Sequence, residues 1–175
     1  MLQLILIHFH RKVFKMAIRN IREDGDPILR KKARPVTEFN DRLFELLDDM
    51  AETMYEAPGV GLAGPQVGVL RRVVVMDVGD GLLELINPEI TKVEGEQIGE
   101  EGCLSLPGLC GTVKRPMTVQ VKAQNRDGKW CLYKGEELKA RCFCHEIDHL
   151  DGILYKDNLL EGTMLQRVGE IEEVE

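Results

Sequence analysis

The residues His145-Glu146-Ile147-Asp148-His149 place two imidazoles four positions apart. On a helix that spacing stacks them one turn apart on a single face, where they can grip one divalent ion, and the glutamate beside the first can reach a water on it. Apart from His8 and His10 near the start, these are the only histidines in the chain. Two histidines do not complete a catalytic metal site, which uses three protein ligands and keeps a position open for water or substrate. No histidine follows His149, and Glu161 and Glu170 sit in no supporting pattern. Glu100-Glu101-Gly102-Cys103-Leu104-Ser105 offers a better third ligand. Cys103 brings a thiolate, and Gly102 is expected to allow close backbone approach. One thiolate and two imidazoles suit Fe²⁺, Zn²⁺, Co²⁺ or Ni²⁺.

A third stretch, Gly59-Val60-Gly61-Leu62-Ala63-Gly64-Pro65-Gln66-Val67-Gly68, contains G-x-G-x-x-G, the spacing of a dinucleotide-binding turn. That reading fails on context. A helix and not a strand is predicted before it, and Pro65 and Gly68 fall where a phosphate-binding helix should open. A flexible backbone with one amide side chain, Gln66, suits the wall of a pocket instead.

The elements that must position these groups are legible around them. After Asn40, a helix-capping residue type, Leu43, Leu46, Leu47, Met50 and Met54 recur at helical spacing until Pro58-Gly59 stops the pattern. Arg72 to Val78 reads as a strand, and Leu82 to Ile86 as another ended by Asn87-Pro88. Met117, Val119, Val121 and Ala123 alternate with polar residues, and Asp127-Gly128 turns the chain into Lys129 to Tyr133, a hairpin with one wet face. A last helix is predicted from about Glu136 to Leu150, with Gly152 to end it. Strands in the middle with helices before and after predict an α+β fold, mostly antiparallel, built around a central metal-binding helix that carries the HExxH residues.

The chain has 175 residues, 43% hydrophobic and 30% charged, which suits a single domain with its own core and excludes disordered and fibrous classes. A net charge of −7 argues against a protein that works by gripping nucleic acid, so Arg30, Lys31, Lys32 and Arg34 read as a solvated patch. Five cysteines, all in the second half, do not close a disulfide framework and point to a reducing, cytoplasmic setting. Cys110, Cys131 and Cys144 are read as structural thiols. Residues 1–15 form a short apolar run that ends basic, too short to span a bilayer and in the wrong order for a secretory signal. They are expected to be a disordered or non-native extension, translation starting at Met16, and the catalytic domain is placed at 16–175. Mass spectrometry of the native N-terminus tests this. The tail from Glu170 is expected to fray.

Taken together, Gly59 to Gln66, Glu101 to Ser105 and His145 to His149 resemble the three signature motifs of the peptide deformylases, in that family's order. Shared text extends to Gly25-Asp26-Pro27-Ile28-Leu29-Arg30, Ile86-Asn87-Pro88, Leu106-Pro107-Gly108, Arg115-Pro116 and Asp148 to Gly152, so the resemblance covers about Met16 to Leu160. One departure is Gly64, where the family usually has alanine, and a slightly looser loop is expected there. The resemblance implies removal of the formyl group from the N-terminal formylmethionine of nascent polypeptides, with transient ribosome association, no membrane and no specific nucleic-acid binding. It also implies one divalent ion per chain, usually Fe²⁺, with Zn²⁺, Ni²⁺ or Co²⁺ able to replace it.

On that basis Cys103, His145 and His149 hold the ion and a water on it is the nucleophile. Glu146 is general base and then general acid, and by similarity the Gln66 amide and the Leu104 backbone N–H hold the oxyanion. Gly61 and Leu62 are expected at the pocket edge as substrate-binding residues, with Phe143 or Cys142 forming part of an apolar methionine pocket. Two other readings share the helix: a zinc peptidase acting on unformylated chains, and a structural metal module closed by Cys110 or Cys144.

Overall fold

The computed structural model describes residues 17–169; the expected extension at residues 1–15 and the tail from Glu170 lie outside the described residues. The elements follow the order α1 (Asp41–Glu56), β1 (Gly61–Ala63), β2 (Val73–Met76), β3 (Leu83–Glu94), β4 (Gln97–Cys103), β5 (Leu106–Arg115), β6 (Thr118–Gln124), β7 (Trp130–Glu136), α2 (Glu137–Leu150) and β8 (Gln166–Arg167). Five strands form one antiparallel sheet in the order β1-β2-β3-β6-β7, and β4-β5-β8 form a second. Among the described residues no helix is long and apolar enough to cross a membrane.

The helix α1 starts where its cap predicts: the Asn40 side chain accepts from the Leu43 N–H, satisfying one of the donors a helix start leaves free. Its Leu43, Leu46, Leu47, Met50 and Met54 pack on Val73, Val75 and Ile86, one face of the larger sheet. The opposite face meets α2, where Phe143, Ile147 and Leu150 join Val74, Met76, Val119 and Val121. The four residues of β2 are therefore buried on both faces, which is why they read as an unbroken apolar run rather than an alternation. Gly152, at φ 77°, ends α2 in the left-handed conformation that glycine adopts without strain.

One boundary differs from expectation. Asn87-Pro88 does not end the strand begun at Leu83; β3 runs on to Glu94 through a register shift between Ile86 and Glu89. Asn87 takes φ 53° there, and its side chain bonds the Val36 N–H, the Val36 carbonyl and Gln124. The turn residues mark a bulge, which bends a strand without breaking it. The smaller sheet, absent from the sequence reading, brings Glu101 and Cys103 to α2.

Candidate metal centre

Cys103 is the last residue of β4. The β4–β5 register shifts between Gly102, opposite Cys110, and Cys103, opposite Leu106. An irregularity of this kind re-aims a side chain, and here the thiol points at the last turns of α2. The Cys103 Sγ lies 3.3 Å from His149 Nε2, which lies 3.3 Å from His145 Nε2. All three ligand atoms fall within 4.8 Å of one another. Gly102 is not the cause of this approach, contrary to expectation: a Cβ there would meet the Leu109 carbonyl at 3.6 Å, an ordinary contact.

The three side chains fit a divalent ion. Ligand atoms about 2.1–2.3 Å from one centre at tetrahedral angles stand about 3.4–3.6 Å apart, close to the separations found. The His145 Nδ1 lies 2.9 Å from Glu101 Oε2. With its proton on that nitrogen, the ring turns the Nε2 lone pair toward His149. Burial, with the nearby Arg115 charge adding to it, holds His149 well below the usual histidine range, leaving a neutral ring able to ligate. Cys110 and Cys144 do not join the group, so the described residues supply three ligands and not the four of a closed structural site.

Glu101 is the residue that sequence reasoning missed. Read there only as part of a motif and given no role, Glu101 is buried and bonded to Arg115 Nε at 2.8 Å, Arg115 Nη2 at 3.1 Å and Arg141 Nη1 at 2.9 Å. Burial alone would raise its pKa. The hydrogen bonds from His145 and Arg115 reverse that and hold the carboxyl at about 2, so it stays ionised. Arg115 also reaches Asp148 on α2 at 2.7 Å, and the Tyr155 ring stacks on His145 at 5.9 Å between centroids. No local pattern announces these partners, which come from β5, α2 and the segment after it.

The other predicted residues divide. Gln66 is buried, its Oε1 accepting from the Ala63 N–H at 2.8 Å and its Nε2 facing Ser105 Oγ at 3.2 Å and Cys103 Sγ at 3.5 Å. The amide is thereby fixed with its donor toward the three ligands. Glu146 is 4% exposed, its Oε2 has no hydrogen-bond partner, and burial raises its pKa to about 7. A Cβ on Gly61 would stand 2.4 Å from Glu146 Oε1, so only glycine lets that carboxylate lie where it does. Gly64 gives no looser loop: a Cβ there would meet the Arg71 carbonyl at 2.6 Å and the Val69 carbonyl at 2.8 Å, so the missing methyl lets the Val69–Arg71 turn close down.

A cavity of about 500 Å³ opens over these groups, lined by Gly61, Gln66, Cys103, Leu104, Cys142 and Glu146 among others. Leu62 is not at its edge. Its side chain is fully buried against α1, and its backbone faces Val75 in β2. Phe143 is likewise turned into the core beneath the larger sheet, leaving Cys142 as the cavity-lining member of that pair. Leu138, Arg141 and Val168 also line it, and Val168 was unforeseen because its approach depends on β8 of the smaller sheet.

Comparisons with known proteins converge on one family. The model of the family described as polypeptide deformylase matches residues 18–163. A peptide deformylase of Caldanaerobacter subterraneus subsp. tengcongensis is 58% identical over 159 residues, 91% of this chain and all of that relative. One from Acetivibrio thermocellus is 64% identical over 145 residues, 83% of this chain and 85% of its own. The crystal structure of the Thermotoga maritima peptide deformylase superposes with a TM-score of 0.80 at 45% identity, covering 82% of this chain and 98% of that one.

Proposed function

The chain belongs to the polypeptide deformylase family, enzymes that remove the formyl group from the N-terminal methionine of nascent chains, and from that premise we propose how its residues divide the work. Cys103, His145 and His149 hold one divalent ion, Fe²⁺ in the cell, with Zn²⁺, Ni²⁺ or Co²⁺ able to take the same ligands. When bound, such an ion supplies Lewis acidity and lowers the pKa of a coordinated water from 15.7 to about 7. The observation that supports this reading is the convergence of those ligand atoms within 4.8 Å beside a buried carboxylate with one unpartnered oxygen.

Glu146 takes the proton of the attacking water and delivers it to the departing amine as formate leaves. A pKa near 7 suits a group that must both accept and donate. Negative charge gathers on the formyl oxygen as the carbonyl is attacked, and the Gln66 amide, held by Ala63 and Ser105, donates to it together with the Leu104 backbone N–H. These donors do not reorganise during the step, which is the source of their advantage over water.

The substrate backbone lies along β1. That strand is the edge of its sheet. Leu62 opposite Val75, and Val60 whose carbonyl accepts from the Asp77 N–H, are directed to β2, so the alternation of an antiparallel ladder leaves the Gly61 N–H and carbonyl on the open side. A peptide added there as an extra strand brings its N-terminus to the metal centre. A formyl carbon carries only hydrogen, and the crowding of Gly61 against Glu146 supports exclusion of the acetyl methyl. The setting is the cytoplasm, with transient association with the ribosome that supplies the substrate.

The direct test offers the purified protein formyl-Met-Ala and Met-Ala. Formate release from the first with the peptide bond of both left whole is the expected result. Cleavage of Met-Ala without formate release would reject the assignment in favour of a peptidase.

A further inference from the structure

The mouth of the cavity carries three large apolar side chains that the free protein leaves in water. Val60 ahead of β1 is 47% exposed, Leu138 at the start of α2 is 53% exposed, and Val168 beyond β8 is 67% exposed. A single exposed valine needs no explanation, but three around one opening, from three distant parts of the chain, form a patch of the kind that meets a partner. Val168 owes its place to backbone pairing: β8 sets Arg167 opposite Leu109 and Gln166 opposite Cys110, and the Val168 N–H donates to the Gly108 carbonyl at 3.0 Å. The chemistry at the formyl carbon has no use for this residue.

We infer that Val168, fixed at the cavity mouth by β8, is a specificity-determining residue that meets the side chains following the N-terminal methionine and favours peptides that are apolar there. The inference rests on the reading of this cavity as the formylmethionyl site. With the formyl group at the metal centre and the methionine side chain inside, the chain that follows must leave through the mouth. Paired along Gly61 it is extended, so successive side chains point to alternate sides and one in two can turn toward Val60, Leu138 and Val168. An apolar side chain there removes both its own surface and theirs from water, whereas a polar one gains nothing from covering them. The patch is continuous with the substrate cavity, which is why the peptide and not a separate protein is its occupant.

The test compares the wild-type protein with Val168→Ala and Val168→Asp on formyl-Met-Leu-Leu, formyl-Met-Ser-Ser and formyl-Met amide. Val168 is exposed, so neither change disturbs the core. The wild type should prefer the leucine peptide, through KM rather than kcat. Val168→Asp should lower kcat/KM for that peptide about tenfold and Val168→Ala a few-fold, since an apolar contact on an open wall is worth no more than a methylene or two in a pocket. The serine peptide and the amide should change less than about twofold. A leucine preference that survives Val168→Asp would overturn the inference, and so would an equal fall for all three substrates, which marks a structural effect. Failure of the wild type to release formate from any of them would instead reject the site reading beneath it.

Discussion

At the scale of single residues, Glu146 stands out because burying a carboxylate oxygen with no hydrogen-bond partner is costly to the fold. Glu146→Gln keeps the shape and removes the proton acceptor. It should lower kcat for formate release by about 10²–10⁴-fold. Metal content by atomic spectroscopy should stay at one ion per chain, and the melting temperature should not fall. Gln66→Ala removes one donor aimed at the formyl oxygen and should cost about 10²–10³-fold in kcat, again with the ion retained. Loss of metal in either variant would show the residue to be structural. Glu146 was legible from its spacing on the helix and Gln66 as a pocket-wall amide, while the oxyanion role of Gln66 came only from the family resemblance. Glu101 was not legible, since its meaning lies in Arg115 and Arg141, 14 and 40 positions away.

At the scale of elements, the helices were legible and the smaller sheet was not. In α1 the apolar stripe and the Asn40 cap agree with one another, and α2 runs over Glu137–Leu150, within a residue of its expected start, with Gly152 to end it. In β4 the residues Gly99, Glu100, Glu101 and Gly102 are types that strands avoid, so pairing with β5 overrides local preference. Leu62 was misplaced for a related reason: a glycine-rich stretch reads as a loop, yet Gly61–Ala63 pairs with β2 and turns that leucine inward. The Gly64 position carries a prediction of the same kind. Gly64→Ala must push a methyl against two backbone carbonyls and should destabilise the protein by about 1–3 kcal/mol. Urea unfolding checks this, and an unchanged midpoint would show that the Val69–Arg71 turn yields freely. Arg115→Met removes the cation shared by Glu101 on β4 and Asp148 on α2. Breaking a buried pair costs about 3–5 kcal/mol, and with Arg141 still on Glu101 the lower end is expected in the same unfolding measurement.

At the scale of the whole molecule, three apolar clusters hold the two sheets and two helices, and the metal centre lies where they meet. Cys103 packs with the cluster of the smaller sheet, whereas α2, which carries His145 and His149, packs against the larger one. An ion held by all three therefore ties β4 to α2, and its binding energy is stability of the folded state. At a free ion concentration 100 times Kd the gain is about 2.7 kcal/mol. Chelation should accordingly lower the melting temperature by about 5–10 °C for a domain of this size, and readdition of the ion should restore it. The single-domain α+β character followed from composition and the order of strands and helices. The division into two sheets did not, because it depends on which strands pair across long stretches of sequence.

Formate release measured together with metal content, on protein prepared without oxygen, tests the central claim most directly. One divalent ion per chain should accompany activity on formyl-Met-Ala. Both should vanish on chelation and return with Fe²⁺, and neither should return in Cys103→Ala. Undiminished formate release from metal-free protein, or a full ion complement in the Cys103→Ala variant, would contradict it.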